Sequence, residues 1–309
     1  MTSAPESFVL GAGLQELVAA DAMLELLATG FGFTEGPVWD AGRQELRFSD
    51  LEHDVRRRWR DDDGVAVVAR DTSRANGMVL DAQGRLLVCE HVSSCLVRID
   101  ADGGREVLAR TFEGRELNSP NDVVVRSDGT IYFTDPPYGR INDTHGTIRP
   151  QELDFQAVFS FSCDGALVAR ARDFVKPNGL CFSPDETVLY VADTEQMHVR
   201  RFEVSADGAL GGGEIFFEPV PDAPGFPDGM RVDERGNLWT TGPGGLFVVD
   251  PAGVLLGRIA LPEIAANLAF GGADLREVFV TATTGLYRLR TLVAGAHLPH
   301  LATSERTHA

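Results

Sequence analysis

Six residues with side-chain oxygens recur along this chain, each opening a short apolar run: Glu35, Asn76, Asn121, Asn178, Asp228 and Asn267. Two carboxylates and four amides are hard oxygen donors. Brought to one point, they suit a hard divalent cation, since Ca²⁺ takes about six to eight oxygens and accepts Asn carbonyls among them. No opener is His or Cys, which argues against a structural zinc site. A water-filled channel lined by the same groups is the alternative, because converging polar side chains need water or an ion as partner.

The spacing says which elements must hold these groups. Successive openers stand 41, 45, 57, 50 and 39 residues apart. A repeat of that length with strand character predicts propeller blades. Each unit continues from its first strand through a tight Asp/Gly/Ser turn, such as Ser127-Asp-Gly129, to a second strand rich in Phe, Tyr, Val, Leu and Trp. Five units have room for four strands. The sixth ends near Arg290 one strand short, and the run Leu24–Thr29 is expected to supply the missing outer strand and close the ring. The expected architecture is all-β: a six-bladed propeller of four-stranded blades, one domain over residues 1–309, closed by an N-terminal strand. Innermost strands line the channel of such a ring, so the six openers converge near its axis. Residues 1–23 form an N-terminal arm, with a short helix or loose segment starting at Gly13. The longest spacing holds an insertion over 135–156, rich in Pro, Gly, Asn and Thr, which reads as a surface loop. Long loops at one end of a rigid scaffold often carry function.

Composition narrows the partners. With 28 basic against 46 acidic residues the net charge is −18, so nucleic acid and anionic membranes are poor partners. The four cysteines show no CxxC or zinc spacing, and Cys89 and Cys181 fall in apolar runs where a buried free thiol is expected. Met1 to Glu6 lacks a basic segment leading into an apolar one, and no apolar run reaches the ~18 residues a membrane helix needs. The expected compartment is the cytoplasm.

Five motifs together carry a resemblance: Phe33-Thr-Glu-Gly-Pro-Val-Trp39, Leu117-Asn-Ser-Pro-Asn-Asp122, Thr134-Asp-Pro-Pro-Tyr-Gly139, Lys176-Pro-Asn-Gly179 and Pro227-Asp-Gly-Met230. From about Leu24 to Arg290 the chain resembles the gluconolactonase/regucalcin (senescence-marker-protein) family of six-bladed propellers, and in particular its bacterial gluconolactonase-like branch. The resemblance implies a catalytic divalent metal held by Glu35, Asn178 and Asp228. It places Asn121 beside that metal, as a further ligand or a substrate contact. Regucalcin-like members carry an arginine two residues before this asparagine, where this chain has Ser119.

On that resemblance the expected activity is metal-dependent opening of a sugar lactone. The ion is expected to be Ca²⁺, with Zn²⁺, Mg²⁺, Mn²⁺ or Fe²⁺ as alternatives, polarising the lactone carbonyl. Asp228 would orient or deprotonate the attacking water. Asn121, Asn76, Arg74, His91 and Tyr138 are expected to meet the substrate, with Asn118 and Asn267 as further candidates. Asp135 and Asp193 end second strands, where capping of loop amides is expected. Two other readings stay open: an organophosphate triesterase, and a non-catalytic Ca²⁺-binding propeller acting as scaffold or regulator. No serine stands in a Gly-x-Ser-x-Gly setting, which argues against a serine hydrolase.

Overall fold

Apolar runs of four to six residues between Gly- and Asp-rich turns are too short for helices, and the chain folds into strands. The computed structural model describes residues 9–297. Its strands form six antiparallel blades and one small two-stranded hairpin. The innermost strands are Thr34–Asp40, Ala75–Leu80, Val123–Val125, Pro177–Phe182, Met230–Val232 and Ala265–Gly271. Each therefore begins at, or within three residues of, one of the six oxygen-bearing openers. In the first five blades the next three strands follow in chain order outwards.

The sixth blade takes its outer strand from the other end of the chain. Glu25–Thr29 pairs antiparallel with Gly285–Arg290, in the register Glu25 with Arg288 and Thr29 with Gly285. The expected closure is therefore observed. Pairing covers an edge that would otherwise present free N–H and C=O groups. At the same seam the Trp39 ring stacks on Phe279, with centroids 5.5 Å apart. Such a pair contributes about 0.5–1.5 kcal/mol beyond the area it buries.

Over its described residues, 9–23, the arm is bound to the ring. Val9–Leu10 adds a fifth strand to the outer edge of blade five, beside Leu255–Ala260. A single 3-10 turn, Ala12–Glu16, follows. Leu14, Leu17 and Val18 then bury into a cluster that includes Trp239, Leu246 and Leu268. These apolar side chains explain why the segment is held.

Apolar residues alternate along the strands, so each blade presents two apolar faces and packs on both neighbours. Leu87 and Cys89 of blade two meet Phe133 and Phe159 of blade three in one such cluster. All four cysteines are free; Cys89, Cys95 and Cys181 are buried and Cys163 is exposed. Among the described residues no helix is long and apolar enough to cross a membrane.

The reading of 135–156 as a surface loop holds for 142–152, which is irregular and mostly exposed, but not for its base. The segment contains one helical turn, Tyr138–Ile141, in which Gly139 and Arg140 are buried. Arg140 donates to the carbonyls of Leu117, Asn118 and Pro150, each at 2.6 Å, and pairs with Glu116 at 2.5 Å. A guanidinium carries five donors, and here it fastens the base of the insertion to blade three.

Candidate active site

Local backbone irregularity aims the openers inward. Register shifts interrupt the inner strands between Glu35 and Val38, Ala75 and Met78, Pro177 and Leu180, and Ala265 and Asn267. A bulge of this kind re-aims a side chain that a regular pleat would turn aside. Hydroxyls on second strands hold the next blade in place. Ser49 donates to the Asn76 carbonyl and Thr134 to the Asn178 carbonyl, both at 2.8 Å.

The glycine after an opener is there for crowding. A Cβ on Gly36 would lie 2.1 Å from the Asn76 carbonyl oxygen, and one on Gly179 would lie 2.1 Å from that of Asp228. A Cβ on Gly77 would lie 2.5 Å from Asp122 Oδ1 and 2.6 Å from the Asn121 carbonyl oxygen, and one on Gly229 would lie 2.1 Å from the Asn267 side chain. Inner strands thus touch backbone to backbone around the axis. Blade three breaks the pattern: it carries Asp122 where four other blades carry glycine.

Around the channel the openers form two groups. On one side Asn76 Nδ2 donates to Asn121 Oδ1 at 2.6 Å, and Asn121 Nδ2 donates to Asn178 Oδ1. Asn178 Nδ2 goes on to Thr194 Oγ1 at 2.9 Å. On the other side Glu35 Oε2 accepts from the Gly36 amide at 2.6 Å and from Asn267 Nδ2 at 3.0 Å. Asp228 stands apart from both. Its amide is held by Thr241 Oγ1 at 2.9 Å, but its carboxylate Oδ1 is shut off from solvent with no hydrogen-bond partner.

Three carboxylates share this space. Burial, with the charge of Asp122 adding to it, pushes Glu35 up to about 7 against the pull of the Gly36 amide. Burial and the charges of Glu35 and Asp122 push Asp228 well above the usual carboxylate range. Asp122 is itself raised by burial, and Arg231 opposes that rise. Its Oδ1 accepts from the Val123 amide at 2.9 Å, whereas Oδ2 is buried without a hydrogen bond, 3.9 Å from Arg231 Nη1. Burial thus makes each carboxylate harder to ionise, the Asp122 charge adds to this for Glu35 and Asp228, and a cation among them would reverse it.

The insertion of blade three covers part of the mouth. Tyr138 places its hydroxyl 3.5 Å from Asn178 Nδ2, and burial and the Asp228 charge raise its pKa. His145 stacks on Phe33 with ring centroids 4.6 Å apart, and its carbonyl lies 2.9 Å from His91 Nδ1. His91 Nε2 is 3.2 Å from Asn76 Nδ2 and 3.0 Å from Asn121 Oδ1. Both ring nitrogens are thereby engaged; His91 is only 1 % exposed, and burial lowers its pKa to about 4. Arg74 donates to the Thr144 carbonyl, tying the insertion to blade two. Ser119 is buried; it donates to the Pro136 carbonyl at 2.5 Å and accepts from the Gly139 amide at 2.9 Å. The helical turn therefore packs where a longer residue at position 119 would reach.

The predicted residues are distributed accordingly. Asn76, His91, Asn121, Asn178 and Tyr138 make one connected set, and Glu35 with Asn267 makes another. Asp135 and Asp193 hold loop amides, as their positions suggest: Asp135 accepts from Asn118 N, and Asp193 from Val175 N and Lys176 N. Asn118 is fully buried, donating to the Asp135 and Phe155 carbonyls. Sequence reasoning missed Asp122, Thr194, Arg231 and His145. For Asp122 the signal was available, as the one charged residue at a position where four blades carry glycine and the sixth carries Leu268.

The donor set fits a hard cation. Among the described residues no group of three or more His, Cys, Asp or Glu is disposed to hold a metal. A site at the axis would therefore combine the Glu35 and Asp228 carboxylates with amide oxygens. An amide oxygen has two lone pairs, so Asn178 Oδ1 can accept from Asn121 and still ligate. The buried, unpartnered Asp228 Oδ1 is the observation that calls for such a partner.

Comparison with known proteins bears on what this arrangement does. Residues 33–284 match the family described as SMP-30/Gluconolactonase/LRE-like region. A gluconolactonase from Zymomonas mobilis is 30% identical over 305 residues, covering 91% of this chain and 85% of that protein. A pentonolactonase from Haloferax volcanii is 31% identical over 258 residues, 81% of each. Among solved structures, a gluconolactonase from Xanthomonas campestris superposes with a TM-score of 0.85 at 38% identity, covering 92% of this chain and 93% of that one.

Proposed function

Because the chain belongs to the SMP-30/gluconolactonase/LRE-like family, we propose that it hydrolyses a sugar lactone at the channel mouth, with one divalent cation held by Glu35, Asp228, Asn121 and Asn178. The observation that carries this reading is the Asp228 carboxylate: charged neighbours on two sides, one oxygen buried, and no partner for it. The lactonase activity of the relatives from Z. mobilis, H. volcanii and X. campestris supports the reaction class. Oxygen-only donors favour Ca²⁺, with a smaller divalent ion as the alternative.

A cation bound there supplies Lewis-acid polarisation of the lactone carbonyl. The remaining work falls to the chain. Asp228 orients the attacking water through the carboxylate oxygen that the cation leaves free and accepts its proton as the water adds to the acyl carbon; that proton passes to the ring oxygen when the acyl carbon–oxygen bond breaks. Glu35 has Oε2 engaged by two N–H donors, so Oε1 is the oxygen it offers inward. Neutral amides at Asn121 and Asn178 contribute oxygens without cancelling the positive charge. Tyr138 and Asn76, at the rim beside Asn178 and Asn121, are placed to bond sugar hydroxyls. His91 and Arg74 hold neighbours in position: His91 between two asparagines, Arg74 against the insertion.

A rim of Asn, His and Tyr suits a hydroxylated substrate better than the apolar ester of a triesterase. A pH-stat screen tests the reading directly, comparing aldonolactones with a dialkyl fluorophosphate in the presence of Ca²⁺, Mg²⁺, Mn²⁺ and Zn²⁺. Metal-dependent acid release from aldonolactones is expected. If every lactone opens only at its spontaneous rate while the phosphate ester turns over, the triesterase reading replaces it. If neither reacts, the scaffold reading does.

A further inference from the structure

The first blade turns arginines toward the second. Arg47 stands opposite Arg58 in the ladder, and Arg56 and Arg60 share the alternation of Arg58 along Val55–Arg60. Between this face and blade two lies a cavity of about 590 Å³ lined by seven arginines. That is a quarter of the 28 basic residues in a chain of net charge −18, so their gathering is not a consequence of composition. The cavity is bounded by outer strands and by the linker to blade two, away from the openers on the inner strands.

Carboxylates are present too, and their pairings can be followed one by one. Glu45 binds Arg47 at 2.9 Å and Arg60 at 2.7 Å. Glu90 binds Arg105 at 2.6 Å, and Asp63 binds Arg58 at 2.6 Å. Asp71 and Asp100 also line the cavity. Arg56 is left over. It is 7 % exposed, and its Nε is buried with no hydrogen-bond partner. Burial and the nearby Arg47 lower its pKa to about 10 against the pull of Glu90, which leaves it cationic at neutral pH. A buried guanidinium N–H with no partner is unfavourable. Its planar fork matches the oxygens of a phosphate, and guanidinia around one volume can donate to a tetrahedral anion from several directions.

We infer that the cleft between blades one and two is an anion site that takes a phosphate group, with Arg56 as its buried contact. The phosphate can be free or carried on a small molecule, for which the cavity has room. The site is independent of the lactone chemistry at the axis.

Titration calorimetry and thermal melting of the full-length protein test this, in chloride buffers of matched ionic strength. The probes are inorganic phosphate and a monosaccharide phosphate. Saturable binding is expected for at least one, with Tm rising on the order of 5 °C at about a hundredfold excess over Kd. Binding of only the monosaccharide phosphate would identify the ligand as a phosphorylated small molecule; equal binding of both would point to free phosphate sufficing. Arg56→Gln should weaken binding at least about tenfold. Arg70→Gln, at the exposed rim and with little bearing on folding, should weaken it several-fold. Absence of saturable binding by either probe overturns the inference. So does binding that Arg70→Gln, and Arg56→Gln if it folds, leave at the wild-type affinity.

Discussion

Asn267 Nδ2 lies 3.0 Å from Glu35 Oε2, joining the last blade to the first across 232 residues of sequence. The bond fixes which oxygen of Glu35 remains free, so the seam of the ring and the candidate site are one structure. A hydrogen bond to a charged group is worth about 1.5–3 kcal/mol. Asn267→Ala should therefore lower Tm by several degrees and weaken divalent-cation affinity together. Scanning and titration calorimetry on the same preparation would check both. If neither moves, Glu35 is positioned by something else.

Asp228 and Glu35 should separate on mutation. Asp228→Asn keeps the shape and an oxygen but removes the proton acceptor, so kcat should fall on the order of 10²–10⁴. Glu35→Gln should weaken the metal on the order of tenfold or more, and excess metal should recover part of its rate. Initial rates against metal concentration distinguish the two. Wild-type kcat in Asp228→Asn at saturating metal would remove Asp228 from the mechanism.

Glycine substitutions should report the crowding at the axis. Gly179→Ala drives a Cβ to 2.1 Å from the Asp228 carbonyl oxygen, whereas a Cβ on Gly211 meets nothing within 4 Å. Overpacking typically costs about 1–3 kcal/mol, and contact with backbone places Gly179→Ala at or above the upper end. Gly211→Ala should be nearly neutral. Urea midpoints of the pair give the comparison, and equal midpoints would mean that the inner strands can move apart.

Asp135 sets a pH dependence of stability. Burial raises its pKa from 3.8 to about 7, outweighing the backbone amides of Asn118 and Ser119. The folded state therefore holds a proton that the unfolded state has released across that window. Its contribution to stability falls as pH rises from about 4 to about 7. Asp135→Asn should remove this slope, so its stability relative to wild type should be greater at pH 7.5 than at pH 4.5. Denaturant midpoints at the two values measure it; a constant difference would show that Asp135 ionises as freely in the fold as outside it.

Much of the ring was legible because two constraints act on the same residues. An opener must end a turn and also face the axis, and that leaves a polar residue before an apolar run six times over. The sixth unit was visibly one strand short, which pointed to Leu24–Thr29 as the closing strand, and Glu25–Thr29 takes that place. Other parts follow no period. Val9–Leu10 is two residues long, too short for any alternation to register. Arg140 and His145 lie in an insertion, where burial is decided by what the loop happens to cover. The role of Asp122 depends on neighbours from blades four, five and six, which no local pattern brings together.

The closing strand has a consequence for how the molecule is made. Synthesis runs from the N-terminus, so Glu25–Thr29 emerges five blades before its partner Gly285–Arg290. Until that partner is made Glu25–Thr29 stays unpaired, and each newly formed blade leaves a face uncovered. Contacts of such long sequence separation form slowly. The nascent chain therefore carries an unpaired strand and an advancing open face until Gly285–Arg290 arrives, and this interval is when it most needs chaperone protection.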